Sequence, residues 1–251
     1  MKLINGQYQI ERILTETENS ILYKCWDRLR YCYIIAKVAK TEEGEHQLDN
    51  EIIILKLLKQ QTRCSGLPWL IEEVTEDGVR YCVMEYINGY NLTEELMREN
   101  YSQAEIVQWM TEVIEIMIRL HTMSPVIIYR DLKPGNIIRN YEGQISLIDF
   151  GIAKIKKDVA IRDAFATGTK EYAAPEQWGD DLGKGKYCTD ERSDIYSFGK
   201  TVQNVFFMAG KKMNQDMKRI ISKCMGKLPM SRYQCFQDLM GDWKEMLESD
   251  F

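Results

Sequence analysis

Apolar residues fall into two regimes along the chain. From Tyr8 to Glu85 they come in short runs rich in β-branched and aromatic residues: Tyr8 to Leu14, Ile21 to Trp26, Tyr31 to Val38, Leu70 to Val74 and Val79 to Met84. Runs of that kind predict strands. Asp77-Gly78 between the last two predicts a hairpin, because both residues tolerate positive φ. One helix interrupts the strands, Glu45 to Lys59, where Leu48, Ile52, Leu55 and Leu58 recur at helical spacing. After Gly89 the period lengthens. Ser102-Gln103-Ala104-Glu105 is a capping box, and it opens a helix striped by Ile106, Met110, Val113, Met117 and Leu120. Two short strands, around Ile137 and from Ile145 to Ile148, flank a Glu142-Gly143 turn. Further helices are predicted over Ser193 to Met208, Met217 to Met225 and Arg232 to Leu247.

The pattern predicts an α+β chain in two lobes that act as one unit. Residues 1–87 form a β-rich lobe with a five-stranded sheet and one helix, and residues 88–251 an α-rich lobe. The length of 251 residues suits one large domain or two lobes sharing a cleft. There is no internal repeat and no low-complexity linker.

Composition narrows the function classes. Hydrophobic residues at 45% and charged residues at 28% leave no case for disorder. Lys and Arg total 33 against 38 Asp and Glu, a net charge of -5 without a basic tract, which argues against nucleic acid as a partner. The seven cysteines, Cys25, Cys32, Cys64, Cys82, Cys188, Cys224 and Cys235, are scattered and never form a C-x-x-C pair, so neither a disulfide framework nor a zinc site is expected. A reducing cytoplasm fits that usage. No apolar run approaches membrane-spanning length, and the first residues lack the apolar stretch of a signal peptide.

The candidate chemistry lies in Tyr129-Arg130-Asp131-Leu132-Lys133-Pro134-Gly135-Asn136 and in Asp149-Phe150-Gly151 at the end of a strand. Phosphoryl transfer needs a few well-placed charges, since its transition state spreads negative charge over oxygens. Magnesium takes oxygen ligands and keeps waters, so one amide oxygen and one carboxylate, Asn136 and Asp149, suit it. Asp131, five residues before Asn136, is placed to accept a hydrogen bond from a substrate hydroxyl, and Lys133 to face the transferring phosphate.

With these residues and Ala174-Pro175-Glu176 in their order, the chain resembles the eukaryotic-like protein kinase family from Tyr8 to Leu247. Tyr129 in place of histidine, Gly168-Thr169-Lys170-Glu171-Tyr172-Ala173 and Ser193-Asp194-Ile195-Tyr196-Ser197 look most like bacterial serine/threonine kinases. The resemblance implies ATP and Mg2+ as cofactors and a protein with a serine or threonine as substrate. It makes Lys37 the strand lysine that contacts phosphates and Glu51 its ion-pair partner. Leu14, Leu22, Ile35 and Ile138 would surround adenine, with Met84 as gatekeeper. Glu85 and Ile87 would offer backbone groups, and Asn91 a ribose contact. Asp194 would brace the catalytic loop, and Glu176 would pair with Arg232. Leu55, Leu70, Tyr129 and Phe150 would form an apolar column. Thr169 would sit beside the substrate hydroxyl, and Thr167 or Thr169 would be a site of autophosphorylation, phosphorylated Thr167 pairing with Arg130.

The departures set further expectations. Thr15, Thr17 and Ser20 stand at the three glycine positions of the phosphate-covering loop, so each adds bulk where backbone N–H groups approach phosphate. Nucleotide binding is therefore expected to be weak or unusually dependent on magnesium. Ile35 stands where alanine is usual, which tightens the adenine slot, and Ala209 to Asp216 leave no room for a helix that the family usually carries there. The alternative to a kinase is a pseudokinase or nucleotide-binding scaffold. His121 reads as structural, at the C-terminus of its helix, and His46 as solvent-facing.

Overall fold

The computed structural model describes residues 3–60, 65–156, 167–178 and 189–249, which leaves Cys64 and Cys188 outside the described residues. The chain divides into two compact units. The first runs from Met1 to Asn88 and includes Asp149–Gly151; the second comprises Gly89–Ile148 and Ile152–Phe251.

The first unit contains β1 (Leu3–Ile4), β2 (Tyr8–Glu16), β3 (Ser20–Asp27), β4 (Cys32–Ala39), α1 (Glu42–Gln60), β5 (Leu70–Glu76) and β6 (Val79–Glu85). They form an antiparallel sheet in the order β1-β2-β3-β4-β6-β5. The sheet therefore has six strands, not the expected five. The added β1 is two residues long, too short to show a period, and pairs with β2 through an Asn5-Gly6 turn at positive φ. Asp77 and Gly78 also take positive φ, as the β5–β6 hairpin requires.

Alternation along β4 decides what faces where. Ala36 and Val38 enter the core with Tyr8, Cys25, Val74, Tyr81 and Val83. The intervening Lys37, paired with Leu22 and Cys82, takes the opposite face of the sheet. Leu48, Ile52, Leu55 and Leu58 are the buried stripe of α1 that the periodicity predicted.

The second unit begins with β7 (Gly89–Asn91) and α2 (Leu92–Arg98), followed by the long α3 (Gln103–Thr122). Ser102 caps α3, its side chain accepting from the Glu105 N–H while the Glu105 carboxylate accepts from the Ser102 N–H. Next come β8 (Ile127–Ile128), β9 (Ile137–Asn140), β10 (Ile145–Leu147), β11 (Lys154–Ile155), α4 (Glu191–Met208), α5 (Gln215–Cys224) and α6 (Phe236–Ser249). Strands β10, β9 and β7 form one small sheet and β11 with β8 another. Phe198 of α4 packs edge-on against Phe236 and Trp243 of α6. Only Ala209 to Asn214 separate α4 from α5, and no helix lies between them.

Helix α6 starts at Phe236, later than the expected Arg232. Arg232 instead follows a 3-10 turn over Pro229–Ser231 in extended backbone, its side chain buried in an ion pair. Helix α2 was not among the expected elements because seven residues are too few to establish a helical period.

Candidate functional site

In the first unit, the face of β4 away from the sheet core holds a buried charge. Lys37 Nζ lies 2.6 Å from Glu51 Oε2 and 3.0 Å from Asp149 Oδ1. Burial alone would push the ammonium toward neutrality, but the carboxylates of Asp149 and Glu51 outweigh it and hold the lysine pKa above its ordinary value. Burial pushes the Glu51 carboxyl upward, against the opposing pull of Lys37 and of the Phe150 N–H, which donates to Glu51 Oε1 at 3.0 Å. Asp149 sits at φ 63, in left-handed backbone, and its side chain remains 48% exposed, so its carboxylate is open to further ligands. Asn50 of α1 donates to the carbonyls of Phe150 and Gly151 and fixes this short segment against the helix.

In the second unit, three of the expected residues lie on the loop after β8, and a fourth, Thr169, meets them from a later segment. Asp131 Oδ2 lies 2.8 Å from Lys133 Nζ and accepts from Asn136 Nδ2 at 2.8 Å. Asp131 Oδ1 accepts from the Thr169 hydroxyl at 2.8 Å and from its N–H at 3.2 Å, and Lys133 Nζ donates to the same hydroxyl at 2.6 Å. Asn136 ends a 3-10 turn that starts at Pro134, and because its nitrogen points at Asp131 its oxygen is the end left for a cation. A lysine, an aspartate and a threonine hydroxyl thus share one point, side by side.

The loop is held from below by Asp194 of α4, which is fully buried. One carboxylate oxygen accepts the Tyr129 N–H at 2.8 Å and faces His121 Nε2 at 2.9 Å; the other accepts the Arg130 N–H at 2.7 Å. Those bonds fix Arg130 at φ 68, left-handed backbone that a non-glycine residue adopts at a cost of order 1–3 kcal/mol. His121 was expected to be structural, and it is, with a specific partner that sequence spacing does not reveal. Gln177 is a functional residue that no sequence motif marks: its side chain donates to the Arg130 and Thr167 carbonyls and accepts from Ala174, joining the catalytic-loop candidate to the segment around Gly168. Its place beside Ala174-Pro175-Glu176 was the available signal. Thr201 also braces the loop, donating to the Leu132 carbonyl at 3.0 Å. Glu176 and Arg232 pair, as the resemblance implied.

The remaining expected residues are distributed as follows. Leu14 sits at an irregularity of the β2–β3 ladder, Leu22 opposite Lys37 on β3, and Ile35 opposite Met84. Ile35 and Met84 are buried, and Glu85 and Ile87 half-buried at the end of β6. In the second unit Asn91 caps α2, its Oδ1 accepting from the Glu94 N–H at 3.0 Å, and Ile138 pairs with it across β7 and β9. Of the expected apolar column, Leu55, Leu70 and Phe150 are buried in the first unit and Tyr129 in the second. The Thr167 hydroxyl is buried without a partner among the described residues.

Comparison with known proteins accords with this arrangement. The model of the protein kinase domain matches residues 8–227. A probable serine/threonine-protein kinase of Clostridium perfringens is 28% identical over 98% of this chain and 39% of its own length. Serine/threonine-protein kinase PrkC of Bacillus subtilis is 25% identical over 99% of this chain and 42% of its own, and serine/threonine-protein kinase B of Synechocystis is 32% identical over 58% and 25%. The chain spans about two fifths of the length of the first two relatives. With the matched region covering most of the chain and enclosing both clusters, this protein belongs to the protein kinase domain family.

Proposed function

We propose that this chain is a serine/threonine protein kinase that transfers the γ-phosphoryl group of ATP to a protein hydroxyl. One observation carries the reading: the Thr169 hydroxyl is seated on Asp131 with Lys133 Nζ against it. A threonine alcohol fits the carboxylate and the ammonium at once, which is the recognition a substrate serine or threonine needs. Asp131 accepts the hydrogen bond of the attacking hydroxyl and orients its lone pair, and Lys133 supplies positive charge beside it.

The residues fit the cofactors that the family uses, ATP and a divalent metal. Among the described residues no cluster of His, Cys, Asp and Glu could cage a metal by itself. The donors at hand are the Asn136 amide oxygen and the half-exposed Asp149 carboxylate. Two hard oxygens suit Mg2+, which retains waters and shares phosphate oxygens. When bound, Mg2+–ATP supplies the phosphoryl group and neutralises part of its charge. Lys37, held charged by Glu51 and Asp149, offers its ammonium to phosphate oxygens. Leu14, Leu22, Ile35, Met84 and Ile138 supply apolar surface for adenine, Glu85 and Ile87 backbone hydrogen bonds, and the Asn91 nitrogen a donor for ribose.

Thr167 and Thr169 are proposed sites of autophosphorylation, each needing to leave its present setting, since one hydroxyl is buried and the other is bound to Asp131. Among the described residues no helix is long and apolar enough to cross a membrane. Free Cys25, Cys82 and Cys224 are buried thiols, which favours a reducing, cytoplasmic setting.

The test is incubation with labelled ATP and Mg2+, with Asp131→Asn beside the wild type. Transfer to the chain or to a basic protein substrate should fall by about 10²-fold or more in the variant. A second reading, a nucleotide-binding scaffold, draws on Thr15, Thr17 and Ser20 at the expected glycine positions. Equal, negligible transfer by both proteins, with ATP still raising the melting temperature, would replace the first reading by the second.

A further inference from the structure

The tip of the β2–β3 hairpin is bound to the beginning of α1. The Lys40 N–H donates to the Asn19 carbonyl at 2.8 Å, and the Thr41 hydroxyl donates to the Asn19 side-chain oxygen at 2.8 Å. The Lys40 ammonium reaches the Thr17 carbonyl at 3.0 Å and the Glu16 carboxylate at 2.7 Å. Within the tip, the Thr17 N–H donates to the Ser20 carbonyl at 2.9 Å and the Ser20 N–H to the Thr17 hydroxyl at 3.1 Å. Two of the three residues at the expected glycine positions therefore close the turn on itself. Glycines there would leave the backbone free; here its polar groups are committed.

Gly44 shows how close the two elements come. It lies in the first turn of α1, and glycine is a poorer helix former than alanine. Its φ is not positive, so the backbone alone does not require it. A Cβ at that position would lie 2.1 Å from the Asn19 carbonyl oxygen and 3.0 Å from its carbonyl carbon, both backbone atoms. Only a glycine lets the hairpin tip rest on the helix. Thr41 completes the seat, its hydroxyl accepting from the Gly44 N–H at 3.0 Å while donating to Asn19.

Two turns further along, the same helix presents Glu51 to Lys37. We propose that Asn19 and Gly44 are positioning residues for that ion pair: the hairpin tip is a fixed strap on the first turn of α1, and it holds the helix where Glu51 reaches Lys37. The inference deepens the nucleotide-dependent reading and rests on it for its effect on ATP, but the strap itself has a readout of its own. The Lys40 amide reports the strap, because it donates to Asn19, and the Phe150 amide reports Glu51, because it donates to Oε1.

The experiment is amide hydrogen exchange and ATP titration with Mg2+ on the full chain, for the wild type, Gly44→Ala, Asn19→Ala and Asn19→Asp. Gly44→Ala must push the tip away. Exchange should speed up at both Lys40 and Phe150, and ATP affinity should fall roughly five- to thirty-fold, the scale of one or two lost hydrogen bonds. Asn19→Ala should give a smaller loss of the same kind, and Asn19→Asp, which keeps an acceptor for Thr41, should stay near the wild type. Faster exchange at Lys40 with Phe150 protection and ATP affinity unchanged would overturn the proposal, leaving a contact that only stabilises the hairpin. A wild type that does not bind ATP would refute the kinase reading instead, while the exchange at Phe150 would still decide the strap.

Discussion

The Arg232 guanidinium meets the Glu176 carboxylate through two parallel hydrogen bonds, Nη1 to Oε1 at 2.7 Å and Nη2 to Oε2 at 2.9 Å. Both side chains are buried, and Ser193 donates to the same carboxylate at 2.8 Å. Removing one partner leaves the other charge in the interior. Arg232→Ala should therefore destabilise the fold by about 3–5 kcal/mol, read as a lower denaturation midpoint. A near-neutral result would mean that water reaches Glu176.

Asp194 holds two backbone N–H groups and a histidine at once. In Asp194→Asn one of the two oxygens becomes a donor facing donors, which costs about 1–3 kcal/mol and frees Arg130 from its left-handed backbone. Phosphotransfer should drop sharply while ATP affinity, set in part by Lys37, stays within a few fold. Equal losses of both would point to global unfolding.

Gly168 has φ +92, and a Cβ there would lie 2.9 Å from the Arg130 carbonyl oxygen and 2.8 Å from Gln177 Nε2. Gly168→Ala therefore meets both a strained backbone and a crowded one. The Thr169 hydroxyl should lose its seat on Asp131, which the exchange rate of the Thr169 amide would report, since that amide donates to Asp131.

Lys37→Met removes the cation beside Glu51 and leaves burial, which already raises the Glu51 pKa, with less to oppose it. A carboxyl whose folded pKa lies above its unfolded value near 4.3 binds more protons when folded, so it stabilises less as pH rises. The variant should accordingly lose less stability, relative to the wild type, at pH 5 than at pH 8. Denaturant midpoints across that range would show it; a gap that does not depend on pH would mean that Glu51 has turned toward water.

The sequence by itself carried most of the elements. Runs of β-branched and aromatic residues marked the strands, the 3.6 period gave the stripe of α1, and Ser102 with Glu105 marked the start of α3. Asp131, Asn136 and Asp149 were legible because each lies within a short local motif, whereas Lys37 and Glu51 followed from the family resemblance. The two-residue strands β1 and β8 were not legible, since a period needs several repeats to show.

What only the tertiary structure decided is which polar groups satisfy one another across long separations. His121 and Asp194 are 73 residues apart, Gln177 and Arg130 47, and Asn19 and Thr41 22. Composition and spacing record which residues a chain has, but a donor, buried or at the surface, takes whichever acceptor the fold brings within about 3 Å. That choice is made by the whole fold, and the strap on α1 and the brace under Arg130 became visible only there.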